Sequence, residues 1–167
     1  MRIVSEDRKD IEFRKRIVPA ACVFMPEHII SIIADHADDG LDEDKETMGL
    51  LIGRFFRDDN GTYAIIDGIA TAGLIADSSK VRFEKETMED LFDQLVLKED
   101  QCVVGWYHSH LDVGCFMSPT DISTQKGIFG DECGFALVID PVRKELDVFD
   151  NDPDGPKHVD MVIIDND

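Results

Sequence analysis

The sequence predicts a single α/β (α+β) domain in which one mixed β-sheet is flanked by helices. Short apolar runs rich in β-branched residues alternate along the chain with segments of helical spacing, without an internal repeat. The length of 167 residues suits one domain, and an apolar content of 43% can fill a core. We therefore expect a charged N-terminal arm over residues 1–16, followed by the domain over residues 17–167.

The first predicted elements are a strand and a helix. "IVPAACVFM" (residues 17–25) is an apolar run typical of a strand. Pro26 begins a helix over "PEHIISIIADHADDG", because proline is favoured in a first turn, and Gly40 is the predicted stop. One face of this helix, expected to pack on the sheet, carries Ile29, Ile33 and Ala37.

A hairpin and a second helix follow. "TMGLLIGRFF" (47–56) and "YAIIDGIATAGLI" (63–75) are apolar runs separated by Asn60-Gly61, a dipeptide that favours a hairpin turn. "EKETMEDLFDQLVLKED" (84–100) predicts a helix. Its core-facing stripe is formed by Met88, Leu91, Phe92 and Leu95.

The C-terminal part of the chain predicts four strands and one short helix. "QCVVGWYHSH" (101–110) is a mostly apolar strand, and "SPTDISTQKG" (118–127) is a short helix. The remaining strands are "CGFALVID" (133–140), "KELDVFD" (144–150) and "HVDMVIID" (158–165).

The acidic composition excludes some classes of partner. A net charge of −19 repels phosphate backbones and anionic lipid, so neither nucleic acid nor a membrane is an expected partner. A basic or neutral protein partner fits better, although an acidic surface also serves solvation. No signal peptide or membrane-spanning run is present, and the four cysteines form no C-x-x-C pair. A cytoplasmic protein with reduced thiols is expected, with Cys22, Cys102 and Cys133 in the core.

"DNDPDG" (150–155) resembles the start of an EF-hand loop. Met161 occupies the place where that loop requires a bidentate glutamate, and no helices flank the segment. The segment is therefore predicted to be an acidic turn and not a calcium site.

His108 and His110 end the strand "QCVVGWYHSH". Residues i and i+2 of a strand point the same way, so both imidazoles are expected at the carboxyl-terminal edge of the sheet. Two neutral imidazoles on one face make half of a zinc site, although a lone H-x-H is more often incidental.

Ser118 and Asp121 follow in "SPTD", after an interval of seven residues. Ser118 is a typical N-cap, and a capping box explains both residues without any metal. Alternatively, Asp121 joins the two histidines as a third ligand and leaves one position open, as in catalytic zinc sites. Such a site also benefits from a base, for which Glu46 in "KETMGLLIG" is the candidate.

Glu46 ahead of "MGLLIG", followed by "GWYHSHLDVGCFMSPTDISTQ", resembles the motif of the JAMM (MPN-plus) zinc isopeptidases. That motif is a glutamate before M-G-L, then H-x-H, seven residues and S-x-x-D. "VVGWYHSH", "DISTQ" and "VIDPVR" are most similar to the branch of the proteasome-lid deubiquitinase and the signalosome deneddylase. The resemblance implies a single MPN domain with a curved β-sheet, related to cytidine deaminases. The deaminase signature itself is absent, so base deamination is rejected.

The resemblance also implies the chemistry. His108, His110 and Asp121 would bind Zn²⁺ and leave the fourth position to water. Glu46 would act as general base and pass the proton to the departing lysine amine, while Ser118 donates to the oxyanion. The implied reaction removes ubiquitin or a ubiquitin-like modifier from lysine, so conjugated proteins are the expected partners.

Departures from the family pattern lie near the motif and at the C-terminus. Leu111 stands where family members often have proline, beside the site but not among its ligands. Cys115 would make the site structural if it were a ligand, whereas the resemblance favours buried packing or a redox-sensitive thiol. The chain ends soon after "HVDMVIIDND", so we expect a free-standing enzyme of the archaeal type, with proteasome association or a homodimer left open.

Two alternatives give the same residues a different role. One is a non-catalytic or latent MPN scaffold subunit, and the other is a JAMM peptidase that acts on sulfur-carrier proteins or small peptides. Zinc content separates a scaffold from an enzyme, and cleavage of linear or isopeptide-linked Gly-Gly fusions separates the substrate classes.

Overall fold

The structure, a computed structural model, describes residues 3–7, 21–59, 61–71, 76–77, 80–81, 92, 95 and 97–165. Within these residues the helices are α1 (Glu27–Asp42) and α2 (Pro119–Phe129). The strands are β1 (Ile3–Asp7), β2 (Ala21–Pro26), β3 (Met48–Asp58), β4 (Gly61–Thr71), β5 (Ala76–Asp77), β6 (Lys80–Val81), β7 (Cys102–Ser109), β8 (Phe135–Asp140), β9 (Glu145–Phe149) and β10 (Asp160–Asp165).

Eight of these strands form one mixed sheet, in the order β1-β10-β2-β4-β3-β7-β8-β9. The pairs β1/β10, β10/β2, β2/β4 and β7/β8 are parallel, and β4/β3, β3/β7 and β8/β9 are antiparallel. The predicted mixed sheet is confirmed. β7, which carries the H-x-H motif, lies inside the sheet between β3 and β8.

The two helices pack on opposite faces of the sheet. Consecutive side chains of a strand point to opposite faces, and Trp106 and Tyr107 accordingly belong to different apolar clusters. The Tyr107 cluster contains the buried face of α1, which is the predicted set Ile29, Ile33 and Ala37. The Trp106 cluster is covered by Ile128 and Phe129 of α2. Both faces at β7 are therefore buried.

The predicted hairpin is also confirmed. β3 and β4 pair antiparallel, and Asp58 is the partner of Gly61. Gly61 has a φ of 115°, in the left-handed region that glycine adopts without steric cost. This turn begins a ladder that runs back to Gly49 and Thr71.

The prediction that Gly40 stops the first helix is wrong. α1 continues to Asp42, and Gly40 is a buried residue within it. A Cβ atom at this position would lie 2.4 Å from Thr47 Cγ2 and 2.6 Å from the Lys45 carbonyl oxygen. Glycine is needed here because the chain returns closely against the helix before entering β3.

The predicted helix over residues 84–100 lies mostly outside the described residues, including Met88 and Leu91. Of the predicted core stripe, Leu95 packs partly buried against the Trp106 cluster. Phe92 lies in a helical position but is 38% exposed, so its assignment to the core is wrong. Among the described residues, no helix combines the length and apolarity needed to cross a bilayer.

The predicted core positions of the cysteines hold for two of them. Cys22 and Cys102 pack, partly buried, against the cluster that contains Tyr107. Cys133 is exposed, so the prediction for it is wrong. The apolar run "CGFALVID" becomes a buried strand only at Phe135, and Cys133 lies in the connection before it.

The segment "DNDPDG" is an acidic turn, as predicted. The Asp150 carboxylate accepts hydrogen bonds from the amides of Asp152 and Lys157, and Asp152 accepts one from the amide of Asp154. The Lys157 ammonium pairs with Asp152 at 3.1 Å. Local amides and one lysine thus balance these carboxylates.

Residues 3–7 of the predicted arm form β1, which pairs with β10. Residues 8–20 lie outside the described residues. The boundary between an arm over 1–16 and a domain over 17–167 stays a prediction.

Candidate metal centre

Two histidines and an aspartate meet at the C-terminal end of β7. His108 lies in β7, His110 follows that strand directly, and Asp121 lies in the first turn of α2. The Nε2 atoms of His108 and His110 are 3.1 Å and 3.2 Å from Asp121 Oδ2. Within the described part of the chain this is the one group whose donor atoms, all within 4.8 Å of one another, could hold a metal ion.

His108 is the most enclosed of the three side chains. It is 1% exposed, and its ring stacks on Trp106 with centroids 4.4 Å apart. Neither ring nitrogen has an aligned hydrogen-bond partner, although Nε2 lies close to Asp121. Burial lowers the pKa of His108 and favours the neutral imidazole. A buried imidazole whose ring nitrogens lack an aligned hydrogen-bond partner fits a metal ligand, because a bound cation would use the lone pair that is otherwise unsatisfied.

His110 is oriented by the loop that follows it. Its Nδ1 lies 2.8 Å from the Gly114 carbonyl oxygen. A carbonyl oxygen only accepts, so Nδ1 is the donor, and Nε2 faces Asp121. Burial opposes protonation, but the contacts with Asp121 and Gly114 outweigh it and raise the pKa of His110.

Asp121 forms the predicted cap and also lies against both imidazoles, so its position is compatible with the proposed third ligand as well. Its Oδ2 accepts a hydrogen bond from the Ser118 amide at 2.9 Å, and the Ser118 hydroxyl accepts one from the Asp121 amide at 3.1 Å. This is the predicted capping box. Burial opposes ionisation, yet the contacts with His108 and His110 hold the pKa of Asp121 well below its usual range. The cap therefore holds a carboxylate in place against both imidazoles.

The helix that carries Asp121 is fixed against β7 by buried side chains. Trp106 Nε1 donates to Gln125 Oε1 at 3.0 Å, and Gln125 Nε2 donates to the Asp150 carbonyl at 2.8 Å. Gln125 is the one buried residue of α2. The sequence analysis missed it, although a glutamine one turn after Asp121 lies on the same helix face.

The register of β3 against β7 indicates that Glu46 lies near the two histidines. Met48 pairs with His108 in the antiparallel β3/β7 ladder, and the Ser109 amide donates to the Thr47 carbonyl at 2.9 Å. Continuing this register places Glu46 opposite His110 and on the same face. Burial raises the pKa of Glu46, an effect partly offset by His110 and reinforced by Asp121.

Ser109 and Thr47 tie the glutamate segment to the histidine strand, and the sequence analysis missed both. The Ser109 hydroxyl accepts from the Thr47 amide at 2.7 Å and from the Thr47 hydroxyl at 3.1 Å. Both residues are fully buried. Strand alternation alone could have indicated Ser109, because the middle residue of H-x-H points away from the imidazoles and into the protein.

Cys115 lies beside the site but outside the group of donor atoms. Its thiol donates to the Val138 carbonyl at 3.4 Å, and burial together with Asp147, Glu145 and Asp140 raises its pKa to about 12. A thiol with this pKa stays protonated at neutral pH. Its half-buried position supports packing, and whether the thiol is also redox-sensitive stays a prediction.

The loop that contains Leu111 is held by Asp140, a residue that the sequence pattern did not single out. The Asp140 carboxylate, at the end of β8, accepts hydrogen bonds from the amides of Asp112, Val113 and Gly114. Burial opposes its ionisation, but these amides and that of Arg143 hold the pKa of Asp140 below its usual value. Leu111, at the position where proline is frequent, is half-buried.

The arrangement supplies three ligands of the types that Zn²⁺ prefers, with Glu46 and the Ser118 hydroxyl beside them. The donor group contains no cysteine, and the low pKa of Asp121 favours the ionised carboxylate. Chemically, such a set can hold a divalent cation, bind water and supply a proton acceptor.

Comparison with known proteins gives the same family. The family model described as JAB1/Mov34/MPN/PAD-1 ubiquitin protease matches residues 20–129. The chain is 33% identical over 105 residues to ubiquitin carboxyl-terminal hydrolase RPN11 of Saccharomyces cerevisiae, covering 59% of this chain and 32% of that protein. It is 36% identical over 103 residues to 26S proteasome non-ATPase regulatory subunit 14 of Drosophila melanogaster, covering 59% and 32%.

A solved structure has the same fold. The solution structure of protein DSY2949 from Desulfitobacterium hafniense matches with a TM-score of 0.62 and 20% identity, over 86% of this chain and 94% of that one. The chain spans about a third of the length of the curated relatives that it matches.

Proposed function

Since this chain belongs to the JAB1/Mov34/MPN/PAD-1 ubiquitin protease family, we propose that it is a zinc-dependent isopeptidase. Its substrates would be proteins that carry ubiquitin or a ubiquitin-like modifier on lysine. The observation that supports this proposal best is the convergence of His108, His110 and Asp121 next to Glu46.

The three donor side chains would hold the metal. A Zn²⁺ ion bound there would polarise the scissile carbonyl and lower the pKa of bound water to about 7. Burial favours the neutral imidazole of His108, and the contacts with the two imidazoles favour the ionised carboxylate of Asp121. Both directions support ligation, which requires these forms.

Glu46 would move the proton. Burial raises the pKa of this carboxyl group toward the range in which a general base works at neutral pH. From a position opposite His110, which the register of β3 and β7 supports, it would accept a proton from the attacking water and pass it to the departing lysine amine. The same group then serves as base and as acid in successive steps.

Ser118 would stabilise the oxyanion. Its oxygen accepts the Asp121 amide, which leaves the hydroxyl hydrogen free to donate. A single donor of this kind is typically worth about 3 kcal/mol in the transition state. The capping box would thus position the carboxylate ligand Asp121 and the oxyanion donor Ser118 side by side.

The partners and the location are part of the proposal. Relatives named as ubiquitin hydrolase and as proteasome subunits support conjugated proteins as substrates and an association with the proteasome, and a homodimer is the alternative assembly. A charge of −19 would favour partners that present a basic patch. We place the enzyme in the cytoplasm.

The first prediction distinguishes loss of the general base from loss of the metal. Glu46→Gln should retain Zn²⁺ and lower kcat by about a hundredfold or more, because it removes the proton acceptor and leaves the ligands in place. His108→Ala should lose both metal and cleavage. Zinc content by mass spectrometry and release of modifier from lysine conjugates, with and without a chelator, measure the two effects.

Glu43→Gln and His28→Ala are the matched controls, since both side chains are exposed and lie outside the site. They should keep wild-type zinc content and cleavage. Full activity in Glu46→Gln would refute the assigned mechanism. Zinc without cleavage of any conjugate would favour a scaffold, and cleavage restricted to linear fusions would favour a peptidase for small substrates.

A further inference from the structure

Asp140 is a buried carboxylate that binds two separate segments. It ends β8 within the motif "VIDPVR" and is 0% exposed. Five backbone amides donate to it, at distances from 2.8 to 3.2 Å. Those donors are Asp112, Val113 and Gly114 on the loop after His110, and Val142 and Arg143 on the turn after β8.

The loop needs such an anchor because of its backbone conformation. Asp112 has a φ of 62° and Gly114 a φ of 84°, so two left-handed residues lie within three positions. This conformation is costly for an aspartate and persists where the surroundings hold it. The three loop amides that bond Asp140 span these two residues.

Gly114 connects this anchor to the candidate metal site. Its amide donates to Asp140 Oδ2 at 2.8 Å, and its carbonyl accepts from His110 Nδ1 at 2.8 Å. A histidine ligand depends on the partner of its second nitrogen for tautomer and ring orientation. Here that partner is the carbonyl of Gly114, the residue whose amide donates to the Asp140 carboxylate.

We propose that Asp140 is a positioning residue, which sets the tautomer and orientation of His110 by fixing the 111–115 loop. The inference rests on the proposed function only in that His110 is taken as a zinc ligand. In this proposal the motif "VIDPVR", which contains Asp140 and takes no part in the chemistry, orients His110. Asp140 itself lies outside the donor group of the candidate metal site.

The second prediction tests this role with Asp140→Asn. Asparagine keeps the shape but places an N–H₂ group among amide donors and removes the charge, so the loop loses its anchor. We expect Zn²⁺ affinity, measured by competition with a chelator, to fall about tenfold. In the ¹⁵N spectrum of the histidine rings, the wild-type signal of an Nδ1-protonated His110 should be replaced by a mixture of tautomers.

Asp38→Asn is the matched control, because Asp38 lies on α1 across a groove lined by Asp140 and its removal changes the charge equally. It should leave zinc affinity and the His110 signal unchanged. Wild-type affinity and an unchanged His110 signal in a folded Asp140→Asn protein would overturn the inference. A wild-type protein that does not bind zinc would instead overturn the proposed function, so the two failures are distinguishable.

A measurement on the unaltered protein covers the case in which Asp140→Asn does not fold. If the loop positions His110, zinc binding must stabilise the loop in return, because the coupling is reciprocal. Amide hydrogen exchange at Asp112, Val113 and Gly114 should therefore slow by about tenfold or more on adding Zn²⁺. Exchange at these three amides that does not change on adding Zn²⁺ would overturn the inference.

Discussion

Single residues at the site each satisfy more than one requirement. Asp121 caps α2 and contacts two imidazoles, and Gly114 bonds both Asp140 and His110. Ser109, between the two histidines, accepts two hydrogen bonds from Thr47. Substitutions at such positions should therefore affect stability and function together.

The third prediction concerns Ser109. Ser109→Ala leaves the buried Thr47 amide and hydroxyl without their acceptor, and each unsatisfied buried group costs about 1–3 kcal/mol. We expect the free energy of unfolding in urea to fall by about 2 kcal/mol. Ser123→Ala, the same change on the exposed side of α2, should alter it by less than about 0.5 kcal/mol. Equal effects of the two substitutions would argue against the buried connection.

At the scale of elements, β7 organises the molecule. It pairs with β3 and β8, and alternate residues face α1 and α2. The α1 side is joined by His36, whose Nδ1 lies 2.7 Å from the Tyr107 hydroxyl. The α2 side is joined by the bond from Trp106 to Gln125. The strand that carries the histidines is thus held by β3 and β8 within the sheet and by α1 and α2 on its two faces.

The fourth prediction follows from the contact between α1 and β7. Burial lowers the pKa of His36, an effect only partly offset by Asp39. Below about pH 6.5 the unfolded chain therefore binds a proton that the folded chain resists, and stability falls as the pH decreases. The effect should be a fraction of the ~1.4 kcal/mol per pH unit that one proton can supply, since the ring is half-buried.

Urea unfolding at pH 7.5 and pH 5.5 measures this effect. His36→Gln should lose less stability than the wild type over that interval. His28→Gln, at an exposed position of the same helix, should follow the wild type. A His36→Gln protein with the full acid sensitivity of the wild type would contradict the assignment.

At the scale of the whole molecule, charge is the dominant feature. The net charge of −19 destabilises the compact state through self-repulsion. The carboxylates that shape the site are compensated locally, by imidazoles at Asp121 and by backbone amides at Asp140. Overall charge should therefore affect stability and encounter with partners more than the chemistry of the site.

The fifth prediction tests this view with salt. The screening length falls from about 30 Å at 0.01 M to about 10 Å at 0.1 M salt, so repulsion across the molecule weakens. We expect the urea midpoint of unfolding to rise over this range, while zinc content stays constant. A midpoint that falls with added salt would show that attractive ion pairs outweigh the repulsion.

The sequence by itself determined several features that depend on neighbours in the chain. The alternation in "QCVVGWYHSH" placed both histidines on one face, the S-x-x-D spacing produced the capping box, and Asn-Gly indicated the hairpin. Local backbone preferences suffice for these features, because each is complete within a few residues. The family motif added Glu46 and the roles of the site residues, which remain proposals.

Only the tertiary structure decided which distant residues meet. Thr47 and Ser109 are 62 positions apart, and His36 and Tyr107 are 71 positions apart. Gly40 lies inside its helix and not at its end, and Cys133 is exposed despite its apolar neighbours. The first contact depends on the pairing of β3 with β7 and the second on the packing of α1 against the sheet, and no local pattern specifies such partners.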